Sequence, residues 1–179
     1  MDLEKLVSLP NTLRIKWLVR RGLKIGVDCY VAHSAVIDDS RPWLISIGDK
    51  CTISKNVIIL SHDASIKRYL GYSKIGAVTI GNTVFIGAGA IILPNVHIGN
   101  NVIIGAGSVV SRDIPDNSVA IGNPASVVST TQELVDSHFA RLRAGACFPK
   151  EGWTEGRGLT KERKRIMRES VEGKVAYAD

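Results

Sequence analysis

The chain has 179 residues, 45% of them hydrophobic, 6% aromatic and 22% charged, with a formal net charge of +6. That length and apolar content suit a single core, and no apolar run approaches membrane-spanning length. The basic excess sits near the two ends, from Arg14 to Lys24 and from Lys161 to Arg168. With a cation-poor middle, no RNA-binding aromatic motif and no zinc-finger spacing, nucleic acid is not an expected partner. Cys29, Cys51 and Cys147 lack metal-ligand spacing and are expected as reduced thiols. The start, Met1-Asp2-Leu3-Glu4-Lys5, has no basic stretch followed by an apolar one, so a cytoplasmic location is expected, with membrane contact at most peripheral.

Residues 1–23 are the first expected element, an N-terminal cap. Leu13, Ile15, Trp17, Leu18 and Leu23 intersperse with Arg14, Lys16, Arg20, Arg21 and Lys24 in an amphipathic segment suited to cover the open end of a solenoid, where strand edges would otherwise be exposed.

From residue 24 the periodicity becomes six. Ile25, Val31 and Ile37 head IGVDCY-VAHSAV-IDDSRP, and Ile47, Ile53 and Ile59 head IGDKCT-ISKNVI-ILSHDA. From Ile80 the heads run unbroken through Ile86, Ile92, Ile98, Ile104 and Val110. Six is neither the helical period nor that of an ordinary strand, and hexapeptide repeats are a signature of a parallel β-helix. The fifth residue of each late hexad, Val84, Ala90, Val96, Val102, Ser108 and Ile114, is also small or β-branched, giving two inward positions per short strand. Three hexads close one coil, so residues one coil apart stack at the ~4.8 Å spacing of paired strands.

Two interruptions break the count, Arg41-Pro42-Trp43-Leu44 and a long loop at 65–77. Both end alike, in Ile45-Ser46-Ile47-Gly48 and Val78-Thr79-Ile80-Gly81, so the coil is expected to resume in register after each. Long loops thrown from a rigid scaffold tend to carry function. The coil is expected to span 24–127.

Residues 128–179 are expected as a helical C-terminal extension. Thr130 to Glu133 has the form of a capping box, and Leu134, Val135, Phe139 and Leu142 recur at helical spacing, predicting a helix over 131–144. A Gly-rich connection comes next, and Thr160 is placed to cap a short basic helix starting at Lys161.

Few residues of such a chain can do chemistry. His138 falls on the predicted helix, His97 points outward between inward Val96 and Ile98, and His33 sits at a corner near one end. His62 is at a fourth, corner position directly before the long loop, between Ser61 and Asp63. Imidazole accepts a proton near neutrality, so His62 is the candidate general base. Ser61-His62-Asp63 is no triad, because three consecutive residues cannot converge on one reacting atom. Gly87-Ala88-Gly89 and Gly105-Ala106-Gly107 lack the third Gly of a dinucleotide fingerprint and are expected as corner glycines. No second His lies near His62 or His97, so no metal is expected.

The stretch from Lys24 to Val127 resembles the left-handed β-helix hexapeptide acyltransferases, and its second half resembles the galactoside and maltose O-acetyltransferase branch with the capsule and O-antigen acetyltransferases. The matching residues are Ser61-His62-Asp63, the run from Val78 to Ala88, the run from Ile104 to Pro115, and Gly122-Asn123-Pro124. The resemblance implies an all-β, left-handed parallel β-helix carrying an N-terminal cap and short C-terminal α-helices. It implies a homotrimer with sites between subunits, and acetyl-CoA as co-substrate. It implies His62 as catalytic base, Ala88, Ala106, Ser111 and Arg112 along the coenzyme channel, and Asp38 and Asp39 against the acceptor. Ser126 stands where relatives place an Arg for the coenzyme phosphates, leaving Arg112 or the basic tail to supply that charge. The expected reaction is O-acetylation of a sugar or glycoconjugate hydroxyl in polysaccharide biosynthesis. An N-acyltransferase on an amino-sugar nucleotide and a silent β-helix scaffold are the alternatives.

Overall fold

The computed structural model describes residues 11–154, 158–173 and 175–178. Residues 1–10 of the expected cap and 155–157, 174 and 179 of the expected extension lie outside them. The chain divides into two compact units, one ending at Thr131 and the other beginning at Gln132.

The coil of the first unit is built from strands of two or three residues. In chain order they are β1 (Lys24–Ile25), β2 (Tyr30–Val31), β3 (Val36–Ile37), β4 (Ile45–Ile47), β5 (Thr52–Ile53), β6 (Ile58–Ile59), β7 (His62–Asp63), β8 (Lys74–Ile75), β9 (Val78–Ile80), β10 (Phe85–Ile86), β11 (Ile91–Ile92), β12 (His97–Ile98), β13 (Ile103–Ile104) and β14 (Val109–Val110). Apart from β7 and β8, successive strands visit three parallel sheets in rotation. The first holds β1, β4, β9 and β12, the second β2, β5, β10 and β13, and the third β3, β6, β11 and β14.

Both interruptions preserve this register, as the hexad frame predicts. Ile47 pairs Ile25 below the short insertion and Ile80 above the long one, after which Ile98 pairs Ile80. Every hexad head except half-buried Ile25 is buried, as are the fifth-position residues Val84, Ala90, Val96, Val102, Ser108 and Ile114. The core is thus a column of Ile and Val closed by small residues.

The recurrent Ile-Gly-Asx motif has a cause in the stacking. Asp49 Oδ1 accepts the Val27 N–H, Asn82 Oδ1 that of Asp49, Asn100 Oδ1 that of Asn82, and Asp116 Oδ1 that of Asn100, at 2.7–2.9 Å. This ladder satisfies corner amides that no strand reaches. It leaves no room on the preceding residue, since a Cβ on Gly81 would stand 2.6 Å from the Gly99 carbonyl oxygen. Several fourth hexad positions take positive φ, and Asn56 (57°), Gly89 (71°) and Gly107 (70°) stack in one corner column. Asn and Gly are the residues for which this conformation costs least.

Both ends of the coil are covered. Helix α1 (Asn11–Arg20) buries Leu18, and Leu23 follows it into the core, with Ile15 and Trp17 packed against the same cluster. Leu13 faces solvent, and Arg14, expected on the polar side, is buried instead. Its guanidinium donates to the Ala35 and Ala32 carbonyls and to Asn11 Oδ1, while Asn11 Nδ2 donates to the Val31 carbonyl. These are first-coil carbonyls, so the cap supplies hydrogen bonds as well as apolar cover.

At the far end β15 (Ser118–Gly122) adds parallel to β13, and β16 (Ala125–Thr130) folds back antiparallel on β15. The strand therefore runs past the expected boundary at 127. Thr131 closes the unit, its hydroxyl donating to the Asn101 carbonyl at 2.7 Å.

Helix α3 (Thr131–Ala144), which starts on the last residue of the first unit, matches the predicted span, and in the second unit the short strands β17 (Cys147–Phe148) and β18 (Tyr177–Ala178) pair in parallel. Helix α4 (Lys161–Ser170) is capped by Thr160, whose hydroxyl accepts the Arg163 N–H at 3.2 Å. No helix among the described residues is long and apolar enough to cross a membrane.

Candidate active site

His62 lies where the chain leaves the coil. Where Asn95, the fourth residue of the hexad stacked above, turns at positive φ (66°), His62 opens β7, which pairs antiparallel with β8 through His62↔Ile75 and Asp63↔Lys74. The long loop is thus a hairpin whose tip carries the single-turn helix α2 (Lys67–Leu70). This two-residue ladder fixes the catalytic candidate at the root of an arm.

Asp38 occupies the same corner, one coil below. Its Oδ2 stands 2.5 Å from His62 Nδ1 and also accepts the Ser61 N–H at 3.0 Å and the Ser61 hydroxyl at 2.7 Å. Its Oδ1 accepts the Ser40 N–H at 3.0 Å and the Ser40 hydroxyl at 2.7 Å. Burial alone would raise the carboxyl's pKa. The opposing bonds from Ser40, His62 and Ser61 outweigh it and hold Asp38 well below the usual carboxylate range. Asp38 is therefore a buried carboxylate, and the side chain nearest its charge is the imidazole.

This network fixes the ring. The Asp38 carboxylate can only accept, so Nδ1–H donates to Oδ2 with the Ser40 oxygen at 3.2 Å beside it, and in the neutral ring this leaves the lone pair on Nε2. The His62 side chain is 32% exposed against 2% for Asp38, so the imidazole is the reachable member of the pair. It lines a cavity of about 590 Å³ with Leu60, Asp63, Ala64, Lys74, Leu93, Pro94 and Ser111. Leu60, Leu93 and Ser111 each follow a hexad head of the third sheet, and so rise one above another along the same corner. A donated proton, a cavity and an anchored base suit acid–base chemistry on a hydroxyl or amine.

Both Asp38 oxygens face protein donors, with Oδ2 toward His62, whereas neighbouring Asp39 is half-buried. A lone acid directly after a hexad head, where other heads carry Gly, Ala, Ser or Leu, was the available signal. Ser61 donates to Asp38 and Asp63 Oδ1 accepts the Ser65 N–H, so no Ser-His-Asp triad forms from 61–63.

The expected coenzyme residues divide between two edges. Ser111 and Arg112 lie at the corner of His62, with Ser111 in its cavity and Arg112 exposed beside it. Ala88 and Ala106 are exposed and stack directly, the Ala88 carbonyl accepting the Gly107 N–H at 2.9 Å, but they occupy the corner between the second and third sheets. His33 and His97 are exposed, and His138 Nδ1 lies 2.9 Å from the Tyr177 hydroxyl. Among the described residues no group of His, Cys, Asp and Glu is arranged to hold a metal ion.

The family profile described as bacterial transferase hexapeptide (six repeats) matches residues 77–112. Protein CapG of Staphylococcus aureus is 41% identical over 135 residues, covering 73% of this chain and 76% of CapG. YvoF of Bacillus subtilis (strain 168), provisionally named an acetyltransferase, is 38% identical over 120 residues, covering 66% of this chain and 67% of its own length. Among solved structures, a galactoside acetyltransferase in complex with coenzyme A superposes with TM-score 0.58 at 28% identity, covering 74% of this chain and 80% of that one.

Proposed function

The chain belongs to the bacterial transferase hexapeptide family as an acetyltransferase, and from that premise we propose that it transfers the acetyl group of acetyl-CoA to a sugar hydroxyl. The Asp38–His62 pair at the mouth of the cavity carries this reading, because it leaves Nε2 as an oriented, accessible base. His62 Nε2 takes the hydroxyl proton as the acceptor oxygen attacks the thioester carbonyl carbon. Asp38 stabilises the imidazolium that results. When the tetrahedral intermediate collapses, the C–S bond breaks and the Nε2 proton passes to the leaving thiolate, giving the acetyl ester, coenzyme A thiol and neutral His62. The bound coenzyme A of the galactoside acetyltransferase supports the donor, and that protein's name supports a sugar acceptor.

The division of coenzyme residues between two edges favours a homotrimer. If the Ala88/Ala106 edge of one subunit faces the His62/Ser111 corner of its neighbour, one channel passes both, which three copies achieve in a closed ring. A left-handed sense of the coil, a cytoplasmic location and a role in polysaccharide or glycoconjugate biosynthesis complete the proposal. Thiol release from acetyl-CoA across sugars, amino sugars and their nucleotides tests it. Turnover with hydroxyl acceptors supports it, and turnover confined to amino groups would replace it with N-acetylation.

A further inference from the structure

Helix α4 carries a charge pattern that acetyl transfer does not use. Lys161, Lys164, Arg165 and Arg168 recur at helical spacing, are exposed and line one open basic cavity. The orientation of the helix is fixed from its other side. Half-buried Arg163 donates to the Gly152 and Gly158 carbonyls at 2.8 and 3.0 Å and lies 5.5 Å from the Trp153 ring centroid, and half-buried Met167 shares that side. With Arg163 and Met167 packed inward, the four-cation stripe faces out.

Its charge is unbalanced. Glu162 and Glu169 both pair with Arg165, at 2.6 and 2.8 Å, so Lys161, Lys164 and Arg168 have no acidic partner among the described residues. A folded stripe of cations on one helix, all within a single turn or two of each other, matches a planar array of negative headgroups better than a single compact anion. We propose that this face of α4 docks on an anionic phospholipid surface.

The test is sedimentation of the full-length protein with phosphatidylcholine vesicles, with and without phosphatidylglycerol. Wild type should sediment only with the anionic vesicles, and less as salt rises. The Lys161→Glu/Lys164→Glu/Arg168→Glu variant should lose partitioning by about 100-fold while keeping native circular dichroism. If that variant lacks native circular dichroism, the Lys→Gln and Arg→Gln triple variant is read instead, with a smaller loss in the same direction. Wild type failing to distinguish the two vesicle types would overturn the proposal, as would undiminished binding by the folded variant. So would displacement of wild type from anionic vesicles by inorganic phosphate, but not by chloride at matched ionic strength, because that marks a free-phosphate site. A raised KM for acetyl-CoA with vesicle binding intact would assign the stripe to coenzyme phosphates and equally overturn it.

Discussion

Oδ2 of Asp38 stands 2.5 Å from Nδ1 of His62, although 24 positions separate them in sequence. The short insertion at 41–44 sets the offset, since Ile37 pairs Ile59 and the residues following those heads meet at one corner. Asp38→Asn keeps the shape but offers Nδ1 an amide, which removes the charge that steadies the imidazolium. We expect kcat to fall by roughly 10²-fold or more while the KM for acetyl-CoA stays within about twofold. Steady-state kinetics of the folded variant check this, and unchanged kcat would remove Asp38 from the mechanism.

The same carboxylate links stability to pH. Its folded pKa lies below the unfolded value of about 3.9, so the ionised form contributes stability that is complete above about pH 4 and is lost as pH falls through that value toward the folded one. Urea midpoints measured downward from about pH 5 should fall more steeply in wild type than in Asp38→Asn. Parallel slopes would show that Asp38 is not held ionised by its neighbours.

Arg112 is exposed two residues beyond the hexad head Val110, beside the cavity residue Ser111. Arg112→Ala should raise the KM for acetyl-CoA about tenfold, as for loss of one charge-assisted contact to phosphate. Equal affinity in a titration calorimeter would move the phosphate contact elsewhere.

A site shared between copies makes a complementation prediction. Ala106→Trp should obstruct the stacked-alanine edge and His62→Ala removes the base, so each alone should be nearly inactive. Refolded together, hybrid assemblies should regain activity, because some sites receive one intact edge and one intact base. No recovery in a mixture shown by mass spectrometry to contain hybrids would place each site within a single chain.

Much of the fold was legible because one physical rule recurs. A head every six residues must be buried, and stacking requires the same head one coil on, so Ile80, Ile98 and the register after both interruptions could be read directly. Helical spacing of apolar residues likewise made α3 readable, and the Thr160 cap made α4 readable. What periodicity does not encode is polar burial. Arg14 and Asp38 are charged residues whose places are set by the carbonyls and hydroxyls around them, and nothing in their own spacing marks them as buried. His62 was visible because it interrupts a repeat. Its partner was not, since their contact depends on the geometry of an insertion.

The corner glycines give a ranked stability series. A Cβ on Gly81 would collide with backbone of the next coil, so Gly81→Ala should cost at least about 2 kcal/mol. Gly107 has open space but φ of 70°, so Gly107→Ala should cost about 1 kcal/mol from backbone strain alone. Gly107→Asn should cost less, since Asn56 takes the same conformation in the same column. Chemical denaturation that reversed this order would contradict the stacking account.

The central claim is that His62 supplies the base, and single-turnover acetyl transfer by His62→Ala tests it most directly. His62 is partly exposed at a corner, and Asp38 retains its four bonds from Ser40 and Ser61 without it, so the variant should fold with a stability change of about 1 kcal/mol or less. With acetyl-CoA still bound at wild-type affinity, the transfer rate to a sugar hydroxyl should fall by at least about 10²-fold. A folded His62→Ala protein that transfers acetyl groups at the wild-type rate would contradict the account.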